Sequence, residues 1–261
     1  MSIAVDPDWW KSLFDEVYLL TDARSVCNHE ITRLEVDLIS ELLPISAHHK
    51  ILDLCGGHGR HSIELLSRGM QCCVLLDYSS RLIRVARTAA QEKNYNLLCV
   101  QGDARWTGFS SGSFDYALLM GNSLGYQVEH ESDLQILVEA NRILRPGGAI
   151  IVDVVDGDAL KRSFRPQAWH EIGEDLLVCR ERELEDELVK AREIVISKKY
   201  GQVRDCTYAI RYYEPGAVST LLGSAGFEKI RILSGFSSQK MKSDYGFMNY
   251  RTIATAFKSQ R

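Results

Sequence analysis

The run Ile51-Leu52-Asp53-Leu54-Cys55-Gly56-Gly57-His58-Gly59 decides how this chain is read. It begins as a short apolar segment and breaks into glycines. An apolar run of this length suits a strand buried on both faces. Glycines directly behind it suit a tight turn in which the backbone comes close to a ligand before a helix starts. Such a turn has many uses, so its meaning depends on the residues downstream of it. Ile63, Leu65 and Leu66 fit a helix ending near Gly69, and Cys72 to Leu76 fits a second strand closed by Asp77, 18 residues beyond Gly59.

The alternation continues outward. Ser79 or Ser80 can cap a helix whose apolar face is Leu82, Val85, Ala86 and Ala89. Leu97 to Val100 reads as a third strand closing on Gly102-Asp103, and Phe114 to Met120 as a fourth. Ser132 and Gln135 have capping-box spacing and open a helix through Leu134, Leu137, Val138 and Leu144. Arg145-Pro146-Gly147-Gly148 reads as a sharp turn, and Ala149 to Val155 as a fifth strand. This order predicts an α/β fold with a doubly wound parallel sheet and right-handed crossovers.

Upstream, Ile31, Leu34, Leu38 and Leu42 recur at helical spacing until Pro44, so residues 1–45 read as a helical cover over a core at 46–157. Downstream, residues 158–213 read as a small antiparallel β insert or lid. Its strand candidates are Leu176 to Cys179 and Ile194 to Ile196, with turns near Asp186 and Gly201, and the charged stretch Arg180 to Arg192 is expected to be its wet face. Glu214-Pro215 opens a last helix closed by Gly226, and Lys229 to Leu233 with Thr252 to Phe257 complete the sheet over 214–261. The expectation is one domain spanning 1–261.

Composition narrows the classes. The 261 residues are 45% hydrophobic and 25% charged, an ordinary globular balance. A net charge of −4 argues against a chain built to grip nucleic acid. No apolar run is long enough to span a membrane. Met1 to Trp10 carries Asp6 and Asp8 instead of a basic-then-apolar order, so no signal peptide is expected. The seven cysteines are odd in number and contain no CxxC pair. They predict reduced, mostly buried thiols, a cytoplasmic location and no zinc site. A homodimer is left open.

In an open parallel sheet, ligands bind outside the carboxyl ends of the strands. The marked residues fall there. Asp77 can accept two hydrogen bonds from ribose hydroxyls, and Asp103 can receive the amino group of an adenine. The fourth strand opens at Met120-Gly121-Asn122-Ser123 towards the place where chemistry would occur.

The run from Ile51 to Gly59, with Asp77, Gly102-Asp103, Phe114-Asp115 and Arg145-Pro146-Gly147-Gly148, resembles the class I S-adenosylmethionine-dependent methyltransferases over roughly residues 30 to 155. That resemblance implies a seven-stranded Rossmann-like sheet with an antiparallel last strand, and S-adenosyl-L-methionine as cofactor with S-adenosyl-L-homocysteine as product. It implies a cofactor site of Asp53, Cys55, Gly56, Gly57, Gly59, Asp77, Tyr78, Gly102, Asp103, Ala104, Met120, Gly121 and Asn122. Cys55 departs from the family, which has its first glycine there. The implied activity is methyl transfer to an O, N or C atom of a small-molecule acceptor. Methylation of RNA or tRNA would need a basic face around the pocket mouth. A nicotinamide dehydrogenase would need a third glycine where Ser62 stands. A catalytically silent cofactor-binding regulatory protein is a further alternative.

Three residues are candidates for chemistry. Asp153, at the end of the fifth strand, could serve as a base or accept a backbone bond. Tyr126 could line the acceptor pocket or place its ring near the sulfonium. Arg211 could enter the pocket towards a carboxylate or phosphate, with a surface salt bridge as its default. His58 and His61 are expected to line the cofactor pocket rather than bind metal. Trp9, Trp10 and Tyr18, or the insert carrying Trp169, are expected to close over the site. Tyr245, Asn249 and Arg251 stay open between the same two readings, pocket and surface.

Overall fold

The computed structural model describes residues 2–21, 28–127, 129–236 and 250–260. Tyr245 and Asn249, and Cys27 among the cysteines, lie outside them. Two short helices, α1 (Trp10–Leu13) and α2 (Glu16–Thr21), precede α3 (His29–Leu42). The core then alternates β1 (Lys50–Leu54), α4 (Arg60–Ser67), β2 (Cys72–Asp77), α5 (Ser80–Glu92), β3 (Leu98–Gln101), β4 (Phe114–Leu119), α6 (His130–Ile143) and β5 (Leu144–Val155). After α7 (Gly157–Ser163) come β6 (Gln167–Ile172), β7 (Leu176–Glu185), β8 (Leu188–Ser197) and β9 (Gly201–Arg211). The chain ends with α8 (Pro215–Ser224), β10 (Phe227–Phe236) and β11 (Arg251–Lys258).

The large sheet has seven strands in the order β10-β11-β5-β4-β1-β2-β3. β11 runs antiparallel to both of its neighbours, while the β5-β4-β1-β2-β3 ladders are all parallel. The period of two in the strands explains why both faces must be covered. Leu52 and Leu54 of β1, Ala117 and Leu119 of β4, and Ile150 and Val152 of β5 pack on one face with Leu137 of α6 and Leu222 of α8. Ile51, Leu118 and Ile151 point the other way, against Val36 and Ile39 of α3 and Leu65 of α4. β6 to β9 form a separate four-stranded antiparallel meander that turns near Asp186 and Gly201.

Several local expectations need correction, among them Val85 and Val138, placed on apolar helix faces but exposed. Leu34 is exposed, and the buried stripe of α3 instead runs through Ile31, Glu35, Val36, Leu38 and Ile39. α6 starts at His130 behind Glu129, with no side-chain cap, so Ser132 lies inside the helix rather than capping it. The Arg145-Pro146-Gly147-Gly148 run is not a free-standing turn. It belongs to β5, as an irregularity between the Phe114–Leu144 and Tyr116–Ala149 pairs.

The misplaced stripe matters because Glu35 lies at the centre of a buried charge cluster. Its Oε1 accepts from Arg251 at 2.6 Å, and its Oε2 faces Arg60 and His61 Nε2, the latter at 2.9 Å. Arg251 also donates to Asp153 at 2.6 Å. The cluster thus ties α3 to α4, β5 and β11. Burial pushes Glu35 up, but the Arg60 and Arg251 guanidiniums outweigh it and hold the carboxyl well below its usual range. Removing one partner of such a buried pair leaves the other charged and unsatisfied. Arg251→Met is therefore expected to destabilise the fold by about 3–5 kcal/mol in urea titration, whereas a change under about 1 kcal/mol would show that the cluster is not a structural tie.

Candidate functional site

The carboxyl ends of β1, β2 and β3 are bonded to one another. The Gly56 amide donates to the Leu76 carbonyl at 3.1 Å, and the Gly102 amide to the Asp77 carbonyl at 3.0 Å. The Asp77 carboxylate closes the arrangement, accepting from Gly57 N and Ser79 N, each at 2.8 Å. Asp77 lines an open cleft enclosing about 810 Å³ of space continuous with solvent. The turn after β1 is crowded at two of its glycines, Gly56 and Gly59. A Cβ on Gly56 would stand 2.6 Å from the Asp53 carboxyl carbon. Gly59 has φ +80 and would press a Cβ to 3.0 Å from both Ala86 and Leu75. Cys55 holds a left-handed φ of 57, which explains why a glycine is expected at that position.

Of the residues expected to hold a cofactor, Cys55, Gly57, Asp77, Tyr78, Gly102, Asp103, Ala104 and Gly121 line this cleft. Gly56 and Gly59 shape the turn beneath it. Asp53 is buried, and its Oδ2 accepts from Ser62 N and Ser62 Oγ at 3.2 and 2.7 Å, so it orients the start of α4 and does not form the cleft wall. Met120 is buried in the core. Asn122 braces the loop after β4, receiving Val155 N on its Oδ1 at 2.8 Å and donating its backbone N–H to the Asp153 carbonyl at 3.0 Å.

The three candidates for chemistry separate. Tyr126 lines the cleft and packs its ring against Trp9 and Phe14, with centroids 5.3 and 5.4 Å away. Asp153 is fully buried and accepts from Gly121 N at 3.0 Å as well as from Arg251, so it fixes the loop rather than facing an acceptor. Arg211 does not line the cleft, and beside the exposed Glu187, 4.0 Å from its Nε, its closer partner is a buried carboxylate. Arg211 is 3% exposed and pairs with the buried Asp133 at 2.8 Å. Asp133 also accepts from Tyr213 Oη at 2.5 Å and from Gly125 N at 3.0 Å. Arg211 donates to the Gln127 carbonyl too, so the pair pins the loop that carries Tyr126.

Trp10 and Tyr18 of the N-terminal segment line the cleft as the sequence predicts, and Ser123 does so too; Phe14, Gln127, Asp133 and Ile136 complete the wall and carry no signal in the sequence reading. Trp10 packs on Tyr78 with centroids 4.7 Å apart, and the Arg105 guanidinium lies over the Trp10 and Trp106 rings at 5.6 and 5.1 Å. Arg105 engages both Asp103 oxygens. Burial pushes Asp103 up, but these bonds hold it below the usual carboxylate range. Trp9 is buried beneath the cover, while Trp169 stands exposed on the small sheet and does not reach the cleft. His61 is spent on Glu35, and among the described residues no cluster of His, Cys, Asp and Glu is arranged to hold a metal. Burial, with Asp77 and Asp103 nearby, pushes the Cys55 thiol well above its ordinary value, so it offers no thiolate.

Residues 51–148 match the family model for the methyltransferase domain. A demethylmenaquinone methyltransferase of Mycolicibacterium vanbaalenii is 31% identical over 154 residues, which are 58% of this chain and 62% of that one. A glycine/sarcosine N-methyltransferase of Parasynechococcus marenigrum is 25% identical over 81% of this chain and 74% of its own. An S-adenosylmethionine-dependent methyltransferase from Clostridium acetobutylicum has the same fold, with a TM-score of 0.73 at 14% identity over 93% of this chain and 96% of that one. Of the demethylmenaquinone methyltransferase of Lactococcus lactis, the chain spans 40% of the length. Residues 51–148 are thus similar to a methyltransferase domain, and the whole chain shares its Rossmann-like fold with the solved S-adenosylmethionine-dependent methyltransferase.

One titration is dictated by the geometry. Burial raises the Asp77 carboxyl to about 6, against the pull of its amide bonds. A carboxylate accepts hydroxyl donors best in its ionised form, so a diol bound there would take up no proton above that value and would expel one below it. Affinity for S-adenosylhomocysteine is expected to be flat above about pH 7 and to weaken as pH falls through about 6. Calorimetry across this range checks it, and Asp77→Asn should abolish the dependence.

Proposed function

We propose that this chain binds S-adenosylmethionine with its nucleoside on Asp77 and Asp103, and transfers the methyl group to a small amine, releasing S-adenosylhomocysteine. The observation that carries the reading is the Asp77 carboxylate, fixed by two amides and open to the cleft at the joined ends of three parallel strands. Two oxygens with spare lone pairs suit a vicinal diol, and the glycine turn leaves the floor clear for the sulfur-bearing arm.

The donor supplies an activated methyl group, so the protein's work is alignment and exclusion of water. The cover of Trp10, Phe14 and Tyr18 supports that closure. Aromatic rings at the mouth also favour positive charge, which the reaction passes from sulfur to the acceptor. The preference for nitrogen rests on what the wall lacks. Among the described residues, the carboxylates lining the cleft are Asp77, Asp103 and Asp133, and each is engaged by backbone amides or arginine. A hydroxyl acceptor needs a base before it can attack. A neutral amine attacks with its own lone pair as the carbon–sulfur bond breaks, and loses its proton to water afterwards. The similarity to a glycine/sarcosine N-methyltransferase over most of the chain supports this choice. A net charge of −4 supports a small acceptor over nucleic acid. The six described cysteines are free thiols, which supports a reducing, cytoplasmic setting, and among the described residues no helix is long and apolar enough to cross a membrane.

At a ligand concentration of 100 Kd, S-adenosylmethionine should stabilise the chain by about 2.7 kcal/mol in thermal melts. NAD should give no shift, and Asp77→Ala should erase most of the gain. Release of S-adenosylhomocysteine with a panel of small amines, and not with the matching alcohols, is the expected turnover result. Turnover with alcohols alone would overturn the choice of nitrogen.

A further inference from the structure

A nucleoside on Asp77 and Asp103 leaves three aromatic residues of the cleft unused: Phe14, Tyr18 and Tyr126. Their rings form one cluster with Phe14 as its hub. The Phe14 centroid lies 5.0 Å from that of Tyr18 at an interplanar angle of 82°, and 5.4 Å from that of Tyr126 at 31°. One pair is nearly perpendicular and the other closer to parallel, so the rings make a corner and not a flat stack. Trp9 backs this corner, 5.3 Å from Tyr126 and 6.2 Å from Phe14.

Each ring is held at its backbone. Ser79 Oγ donates to the Phe14 carbonyl at 2.7 Å, and the amide of the same serine fixes Asp77. The Asp15 carboxylate accepts from Tyr18 N at 3.0 Å and from Arg204, which also pairs with the buried Glu193 at 3.3 Å. Tyr126 is fixed on both sides. Gly125 donates its N–H to Asp133 at 3.0 Å, and its carbonyl accepts from Arg211 N at 2.7 Å. The Gln127 carbonyl accepts from the Arg211 guanidinium at 3.1 Å. The corner is therefore shaped before a ligand arrives, which lowers the cost of binding one.

The surrounding charge favours cations. Among the described residues lining the cleft, Asp77, Asp103 and Asp133 are acids and Arg105 is the one base. Arg105 is spent on both Asp103 oxygens, and Arg211, behind the wall, on Asp133. A ligand carboxylate entering here would leave water to meet like charges. A methylated ammonium suits the same place, because ring faces carry partial negative charge and its methyl groups bury against them.

We infer that the acceptor is an amine without a carboxylate, up to and including a tertiary amine, and that Phe14, Tyr18 and Tyr126 select it by holding the ammonium product. This deepens the methyltransferase reading above and rests on it. In the step itself the nitrogen lone pair forms the new bond to the methyl carbon, and the carbon–sulfur bonding pair leaves on sulfur. The sulfonium becomes a neutral thioether as the nitrogen becomes positive. A tertiary amine yields a quaternary ammonium with no proton to lose, so that step needs no base, in keeping with three engaged carboxylates.

The test uses three probes that share one trimethyl-substituted head. Choline is a cation, 3,3-dimethylbutan-1-ol is its uncharged carbon analogue, and trimethylglycine adds a carboxylate. Calorimetry on the full chain saturated with S-adenosylhomocysteine should show choline binding about 10-fold more tightly than either of the others. Phe14→Leu and Tyr126→Leu remove a ring and keep apolar bulk. Each should weaken choline about 5- to 10-fold and leave S-adenosylhomocysteine within about 2-fold, which also reports that the variants are folded. Tyr126→Phe keeps the ring and should bind choline as the wild type does. Three results would overturn the inference and leave the cofactor reading in place: the alcohol or trimethylglycine binding as tightly as choline, choline falling only in step with S-adenosylhomocysteine, or choline failing to bind a chain that binds S-adenosylhomocysteine. A wild-type chain that ignores S-adenosylhomocysteine would sink the cofactor reading and the acceptor class with it.

Discussion

The site depends on one constraint: the Asp77 carboxylate must lie where the Gly57 and Ser79 amides converge. That is a consequence of register. β1 and β2 are paired so that Leu54 lies opposite Leu76, and the residues just beyond this pair are Cys55 and Asp77. The turn after β1 therefore meets the acid that ends β2. If the pairing slipped by one residue, every side chain of the strand would change face, and the acid would point into the core of the sheet. The alternation of Ile51 and Leu52 between two different cores forbids that slip.

A second buried system fixes the cover. Glu35, Arg60, Arg251 and Asp153 come from α3, α4, β11 and β5, and their charges balance. Buried ion pairs contribute little to stability over apolar substitutes, but they are unforgiving of misplacement. Here they set the position of α3 against the sheet edge and, through Asp153, the position of Gly121 in the cleft. Asp133, Arg211 and Tyr213 act in the same way on the loop that carries Tyr126. Polar residues that sequence reading would place in the chemistry are used instead to hold the loops that line it.

This contrast explains what the sequence could and could not tell. The core was legible because its signals are local: apolar runs, glycines behind them and acids at strand ends recur within about 25 residues of one another. The antiparallel insert was legible for the same reason, although β7 to β9 are longer than the apolar stretches that announced them. The roles of Asp153 and Arg211 depend on partners far along the chain, Arg251 for one and Asp133 for the other. No spacing rule connects such pairs. Glu35 did leave a trace, since it shares the helical face of Ile31, Leu38 and Ile39 and is an acid among apolar neighbours. Trp10 and Tyr18 were legible as a cover, but the part played by Phe14 follows from where the N-terminal segment docks, which short helices of four and six residues do not disclose.

The most direct measurement is a crystal structure of the chain grown with S-adenosylhomocysteine. Both ribose hydroxyls should lie on the Asp77 carboxylate, and the adenine between Asp103 and the Trp10–Tyr78 wall. A nucleoside seated anywhere else on the molecule, or a cleft without density at saturating ligand, would contradict the assignment of Asp77 as the ribose acceptor.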